Sequence, residues 1–407
     1  MSHKVIHPIH TPILAVFAIV VALATNAWTV PTETVLYGFK GSPDGALSQA
    51  DLIFDTSGNL YGTTGGGGAF GFGTVFKLSP SQSGWKETIL YSFHGGVDGA
   101  NPIGGLVFDT SGNLYGTAAY GGNNSCSQGC GVVFKLSKLV SGKWSESVLH
   151  TFAGGADGEE PHGDLVLDSG SLYGTTRVGG IHNLGIVFAL TSQFNGQWTK
   201  KTLHNFSGGS DDGYPTAGLT LDSHGNLYGM TTGGVGSVFK LTRTTTGGWV
   251  YKSFFYFGGV GAVGDLPQGK LLVDSGGHLY GTTYAGGNPG QGVVFELKHT
   301  TTGWEETTLY AFNGGSDGAN PGAGLVCDAN GVLYGTTQRG GTNNGGVVFS
   351  LTRTLGVWKE IPLHDFPAGG DDGEIPLAGM ILDPVGNLYG TTYFGVKYSG
   401  VVFKLKP

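Results

Sequence analysis

Leu-Tyr-Gly followed by Thr or Met occurs seven times in this chain, with tyrosine at 61, 115, 173, 228, 280, 334 and 389, at intervals of 52 to 58 residues. A Val-Phe step returns with it, ending at Phe76, Phe134, Phe188, Phe239, Phe295, Phe349 and Phe403. An aspartate precedes each Leu-Tyr pair, from Asp55 to Asp383. A repeat of this period means that each copy is one supersecondary unit, which cannot bury its faces alone and must stack on neighbours.

Each copy carries four strand signals. In the second copy Gly-Leu-Val-Phe-Asp (105–109) is a short apolar run stopped by a turn. Leu114 to Ala118 is a second strand, and Val132 to Leu136 a third, rich in β-formers. The fourth, Trp144 to Phe152, follows a polar turn. Between the first two strands, Asp-Thr-Ser-Gly-Asn reads as a tight reversal, its aspartate accepting from backbone amides ahead and its glycine free to take positive φ. In six copies a Trp is followed eight residues later by Phe, and the even spacing predicts both rings on one face. The glycine of each Leu-Tyr-Gly costs strand stability, which implies close approach of a neighbouring blade or ring.

Four short antiparallel strands per copy predict an all-β fold, a seven-bladed β-propeller of four-stranded antiparallel blades. The ends of the chain are in phase for closure. Thr32 to Phe39 reads as a fourth strand lacking its first three, and the last copy stops at Leu405 with three strands and no fourth. The N-terminal strand is expected to complete the last blade, which removes free sheet edges.

Composition excludes the other classes. The 407 residues include 78 Gly and 16 Pro, and only 12% are charged, yet 12% are aromatic. A disordered chain lacks that many rings, and collagen needs a strict three-residue glycine period. A net charge of -8 argues against nucleic acid as the main partner, and none is expected. Residues 1–27 read as a secretory signal peptide, with Lys4, an apolar run from Ile13 to Ala24 and small residues after it. The run is short for a bilayer. Residues 28–407 are then one propeller domain, expected to be a secreted or extracytoplasmic monomer (periplasm or cell surface) with no membrane span after cleavage. In that compartment Cys126 and Cys130, which share one loop, are expected to form a disulfide. Cys327 stands where the repeat has phenylalanine and reads as a small buried apolar residue.

Chemistry has few places to sit. The crossovers between blades carry Phe-x-Gly-Gly-x-Asp-Gly, with Asp44, Asp98, Asp157, Asp212, Asp317 and Asp372; the fifth departs, with Asp265 displaced. Asp-Gly is a turn dipeptide. Calcium stays open as a cofactor, with Asp98, Asp157, Asp212, Asp317 and Asp372 as metal candidates, although one carboxylate per loop is sparse for an ion wanting six to eight oxygens. The doubled acids, Glu159 with Glu160, Asp211 with Asp212 and Asp371 with Asp372, read as solvated loop charges. His150, His204 and His364 stand where other copies have Tyr, which suggests a half-buried ring with a hydrogen-bond partner, not a metal ligand. Positions just after the second strand vary most: Tyr120, Arg177, Tyr284, Gln338, Arg339, Tyr393 and Phe394. Rings, Arg and Gln on a glycine-loop face suit stacking and hydrogen bonding to a carbohydrate, peptide or protein ligand. No Ser-His-Asp order, paired Cys-x-x-Cys or phosphate-cradling loop occurs, so no catalytic residue is assigned.

The segment Gly-Leu-Val-Phe-Asp-Thr-Ser-Gly-Asn-Leu-Tyr-Gly-Thr (105–117), running on to Gly131-Val-Val-Phe-Lys-Leu136, resembles the Gloeo/Verruco (GloVer) tandem repeat of secreted bacterial proteins. The likeness covers about residues 33 to 405. The pattern of the first two strands is also similar to NHL-like propeller repeats. The resemblance implies a bacterial extracytoplasmic propeller and offers no catalytic residues. The expected function is a binding module on the glycine-rich loop face. A structural cell-surface protein is the alternative, and a propeller lyase or glycoside hydrolase comes last.

Overall fold

The structure, a computed structural model, describes residues 30–258 and 264–407. Pro31–Pro407 is one compact unit of seven four-stranded antiparallel blades in a ring. In the first blade Ile53–Phe54, Leu60–Thr64, Thr74–Ser81 and Gly84–Ser92 pair in chain order. The next five repeat the plan, the fifth adding Asp265–Pro267 beside its second strand. The seventh takes Ile381–Leu382, Leu388–Thr391 and Val401–Lys406 from the end of the chain, and Thr32–Gly38 from its start. Those last two strands run antiparallel with Thr34 opposite Lys404. The signal-peptide segment, 1–27, lies outside the described residues. Among the described residues no helix is long and apolar enough to cross a membrane.

The repeated Asp and Tyr build the first turn together. Asp109 Oδ1 accepts the backbone N–H groups of Ser111 and Asn113, both at 2.9 Å. Its Oδ2 accepts the Asn113 side-chain amide at 2.7 Å and the Tyr115 hydroxyl at 3.0 Å. Burial would raise this carboxyl, but the four donors outweigh it and hold the pKa below the usual carboxylate value.

The glycine of each Leu-Tyr-Gly makes room for a ring of its own blade, not for a neighbouring blade. Gly116 lies across the ladder from Phe134. A Cβ on it would sit 2.6 Å from the Phe134 ring and 3.0 Å from Leu106 Cδ2. The equivalent contact is 2.4 to 2.7 Å in all seven blades.

The predicted shared face for Trp and Phe is overturned by a β-bulge. Every third/fourth strand pair shifts register once, as between Val133 and Phe134, where Leu149 is left unpaired. An extra residue inverts the two-residue alternation. Trp144 therefore packs with Tyr61, Val75 and Phe93 toward the preceding blade, whereas Phe152 packs with Leu165 and Phe188 toward the next. Each fourth strand thus staples both neighbours. At all seven junctions the crossover phenylalanine meets the third-strand phenylalanine of the next blade edge-on, with centroids 5.1 to 5.3 Å apart. Such pairs add about 0.5–1.5 kcal/mol beyond the area they bury. The Phe39–Phe76 pair joins the N-terminal strand to the first blade.

Cys126 and Cys130 are disulfide-bonded. Cys327 is exposed, contrary to expectation. In the first two copies a phenylalanine here packs edge-on against the tyrosine of the preceding blade, Phe54 against Tyr389 and Phe108 against Tyr61. A thiol in that place covers too little of the neighbouring strand to be covered itself.

Candidate functional site

The crossover aspartates are latches within the blade wall. Asp44, Asp98 and Asp317 accept the hydroxyls of Tyr37, Tyr91 and Tyr310, each at 2.9 Å. His150 and His204 make the same contact, to Asp157 at 3.0 Å and Asp211 at 2.9 Å. The doubled acids are therefore not simply solvated charges. Asp211, not Asp212, takes the repeat's role in the fourth crossover. Asp212 is buried in a left-handed conformation (φ 49°), its Oδ2 without a hydrogen-bond partner among the described residues. The fifth crossover lies partly outside the described residues.

Each latch also meets the fourth strand of the following blade, two residues after its tryptophan. Glu87, Glu146 and Glu360 stand there against Asp44, Asp98 and Asp317. Burial first, and the facing carboxylate second, push Glu146 up to about 7 and Glu87 and Glu360 up to about 8. In the third blade a lysine replaces the glutamate. Lys200 Nζ lies 2.7 Å from Asp157 Oδ1.

The crossovers then turn into the channel wall through one left-handed residue per blade. Leu47, Asn101, Glu160, Tyr214, Leu266, Asn320 and Ile375 all have φ between 55° and 60°. Six of them precede a proline, which itself disfavours helical conformations. This backbone costs a non-glycine residue about 1–2 kcal/mol, so it persists because both peptide groups are held. The Glu160 N–H donates to Cys130 O at 3.1 Å, and Glu160 O accepts the Arg177 N–H at 2.9 Å. Three residues further on, second-strand threonines hold the wall of the next blade. Thr63 donates to Gly104 O at 3.1 Å, and Thr282 to Ala323 O at 2.9 Å.

These restraints place one residue per blade just before the Leu or Met that leads into the first strand, and all of them but Gly105 line a neck of the channel. Four are glycine: 105, 218, 324 and 379. The other three are Asp51, Asp164 and Lys270, in alternate blades. Their neighbours' glycines leave them space: a Cβ on Gly105 would lie 2.8 Å from Asp164 Oδ1, and one on Gly379 3.0 Å from Asp51 Oδ1. The same carboxylates accept backbone N–H groups, Asp51 from Gly379 and Asp164 from Gly105, both at 2.6 Å. Lys270 Nζ stands 3.7 Å from Asp164 Oδ2. Burial and the nearby Asp164 push the Asp51 carboxyl up to about 6, against the opposing pull of Lys270 and the Gly379 amide.

The cavity at the neck is about 120 Å³, and Gln49, His162, Thr216 and Gln268 line it with the charged layer. Below it Asp51 and Lys270 also border a more apolar chamber of about 290 Å³, walled by Leu271, Leu325 and Met380 among others. Burial pushes the His162 imidazole down to about 4, so it is neutral at pH 7. His162 Nε2 and Thr216 Oγ1 have no hydrogen-bond partner among the described residues. Two orphaned polar atoms beside two carboxylates and an ammonium call for water or a polar ligand.

Of the residues singled out from sequence, two reach this region. Arg177 binds Glu160 at 2.7 Å, and Glu160 Oε2 lies 3.6 Å from His162 Nε2. The Gln338 amide fills the space over Gly322, beside Gln268. Tyr120 is half-buried and lines a separate cleft of about 400 Å³ with Phe72 and Gln128. Tyr393 and Phe394 meet edge-on at 4.5 Å, Tyr284 is half-buried, and Arg339 is exposed. The five metal candidates stay in their own crossovers; only Asp372 belongs to a cluster with metal-ligand spacing among the described residues. Asp51, Asp164, Lys270, His162 and Thr216 were not foreseen. Comparing the seven copies at the residue before the first-strand leucine would have shown the charges.

The family model described as Gloeobacter/Verrucomicrobia repeat matches residues 23–237 and 232–407. No curated protein sequence matches the chain. Among solved structures, a proposed 6-phosphogluconolactonase from Bacteroides uniformis aligns with a TM-score of 0.55 at 15% identity, covering 82% of this chain and 88% of that one. The periplasmic gluconolactonase of Pseudomonas aeruginosa aligns with 0.52 at 16% identity, covering 82% and 92%. The extracellular domain of a proposed hybrid two-component system from B. thetaiotaomicron gives 0.53 at 11% identity, covering 91% of this chain and 39% of that one. At such identities the likeness is one of fold.

Proposed function

The chain belongs to the Gloeobacter/Verrucomicrobia repeat family, and from its channel neck we propose that it is an extracytoplasmic propeller that binds a carbohydrate. One observation carries the reading: in a single layer of the wall, where four copies have glycine, three carry Asp51, Asp164 and Lys270 around unpartnered His162 and Thr216 atoms. Saccharide hydroxyls donate to carboxylates and accept from an ammonium, so they match this set. The neck takes only the end of such a ligand, and the remainder would rest on the loop face among Arg177, Gln338 and the rim tyrosines. The sugar-lactone names of two fold neighbours agree with a small polyhydroxylated ligand, and a periplasmic and an extracellular neighbour agree with the compartment.

The test is a panel of neutral and acidic glycans with the mature protein, followed by calorimetry on any that is retained. Asp164→Asn and Lys270→Met should each weaken binding at least about tenfold, the ~1.4 kcal/mol lost with one charged hydrogen bond. Retention of none of the glycans, or affinities unmoved by both substitutions, overturns the proposal. Turnover of a sugar lactone that Asp51→Asn abolishes would replace binding with catalysis.

A further inference from the structure

We propose that Glu33, His364 and Asp372 form a binding site for a divalent first-row transition ion, zinc above all, on the seam where the N-terminal strand joins the ring. The three come from separate elements. Glu33 lies on Thr32–Gly38, His364 near the end of Val357–Asp365, and Asp372 on the crossover after it. One ligand atom from each falls within 4.8 Å of the other two, and among the described residues this is the one such set of three. The atoms Glu33 Oε1, His364 Nε2 and Asp372 Oδ1 are buried and have no hydrogen-bond partner among the described residues.

The other copies show what the gap is for. In the two other copies whose latch carries a histidine, the ring bonds its aspartate directly, at 3.0 Å for His150 and 2.9 Å for His204. At His364 the separation opens to 3.6 Å. In the third blade a cation already occupies the place: the Lys200 ammonium bonds Asp157 at 2.7 Å while His150 holds the other oxygen. The seventh blade has Glu33 where the third has Lys200, so its cation must come from solution.

Donor chemistry selects the ion. An imidazole with two carboxylates suits zinc and its neighbours, whereas calcium takes six to eight oxygens. A tetrahedral ion about 2.1 Å from each ligand sets ligand atoms about 3.4 Å apart. The His364–Asp372 separation is already close to that, and Glu33 need move only by side-chain rotation. A fourth position would remain for water.

The experiment is titration of the chelator-treated full-length protein with Co²⁺, read by its visible absorption, with Zn²⁺ competition and melting curves in parallel. One equivalent of Co²⁺ should bind, Zn²⁺ should displace it, and the ion should raise the Tm. His364→Tyr places the residue of the Tyr37, Tyr91 and Tyr310 copies in the site. It should fold and lose more than ~100-fold in affinity, beyond the 10–100-fold typical of an outer-shell partner. Glu33→Gln should weaken binding as well, whereas His150→Tyr, in the lysine-filled copy, should leave it unchanged. Wild type without a one-equivalent response, a His364→Tyr curve matching wild type, or stabilisation by Ca²⁺ but not by Zn²⁺ overturns the assignment. Glycan binding at the neck is read separately, so either result leaves the other standing.

Discussion

Replacing Glu360 by glutamine should stabilise the protein above neutral pH and do nothing at low pH. Burial, and then the Asp317 carboxylate, push the Glu360 carboxyl from 4.5 up to about 8. A carboxyl raised on folding favours the protonated folded state. Its contribution is complete below the unfolded pKa of about 4.5 and is lost as pH rises to about 8. Taken at face value that rise is worth about 5 kcal/mol at ~1.36 kcal/mol per pKa unit. The side chain keeps much of its contact with solvent, and screening reduces the figure to about 1–2 kcal/mol. Glutamine keeps the shape, carries no charge at any pH and can donate to Asp317. Urea unfolding followed by tryptophan fluorescence should show Glu360→Gln equal to wild type at pH 4.5 and about 1–2 kcal/mol more stable at pH 8.5. Equal or lower stability at pH 8.5, or the same gain at both pH values, would refute the carboxyl pairing.

Three further outcomes follow from the packing and the site. Gly116→Ala puts a methyl 2.6 Å from the Phe134 ring and should cost about 1–3 kcal/mol by overpacking; calorimetry showing an unchanged Tm would mean the ring yields freely. In a double-mutant cycle Phe93→Ala and Phe134→Ala should couple by about 0.5–1.5 kcal/mol, and strict additivity would deny the edge-on contact. Arg177→Met removes a positive charge that helps depress His162, so an NMR titration should find the imidazole pKa above its wild-type value of about 4; an unmoved titration would contradict the Glu160–Arg177–His162 contact.

The architecture was legible because repetition multiplies weak signals. One Leu-Tyr-Gly says little, whereas seven at a steady interval define the blade, and the out-of-phase ends point to the Thr32–Gly38 pairing. What repetition hid was equally specific. The bulge at Leu149 leaves no mark in an even Trp–Phe spacing, so the faces of Trp144 and Phe152 came out wrong. The seven left-handed residues include Leu47 and Ile375, which no turn preference would nominate, because the strain is imposed by bonds from two blades. The charged layer is not at the variable loop tips. Asp51, Asp164 and Lys270 are single substitutions in the quietest part of the repeat, and only the ring brings them together. The hydrogen-bond partner expected for the histidines of the fourth strands is there for His150 and His204 but not for His364 Nε2, because the groups around it, Asp372 and Glu33, lie 8 residues after it and at the other end of the chain.

The ring itself is open to a direct test, since Asp51 bonding Gly379 requires the two ends of the chain to meet. Thr34→Cys with Lys404→Cys, in a Cys327→Ser background, places two thiols opposite each other in the N-terminal and C-terminal strands. Mild oxidation should give a monomer in which mass spectrometry finds the peptides of residues 34 and 404 joined, with a raised Tm that reductant reverses. Failure to join them, while each single cysteine labels freely, would contradict the closed seven-bladed ring on which the channel neck depends.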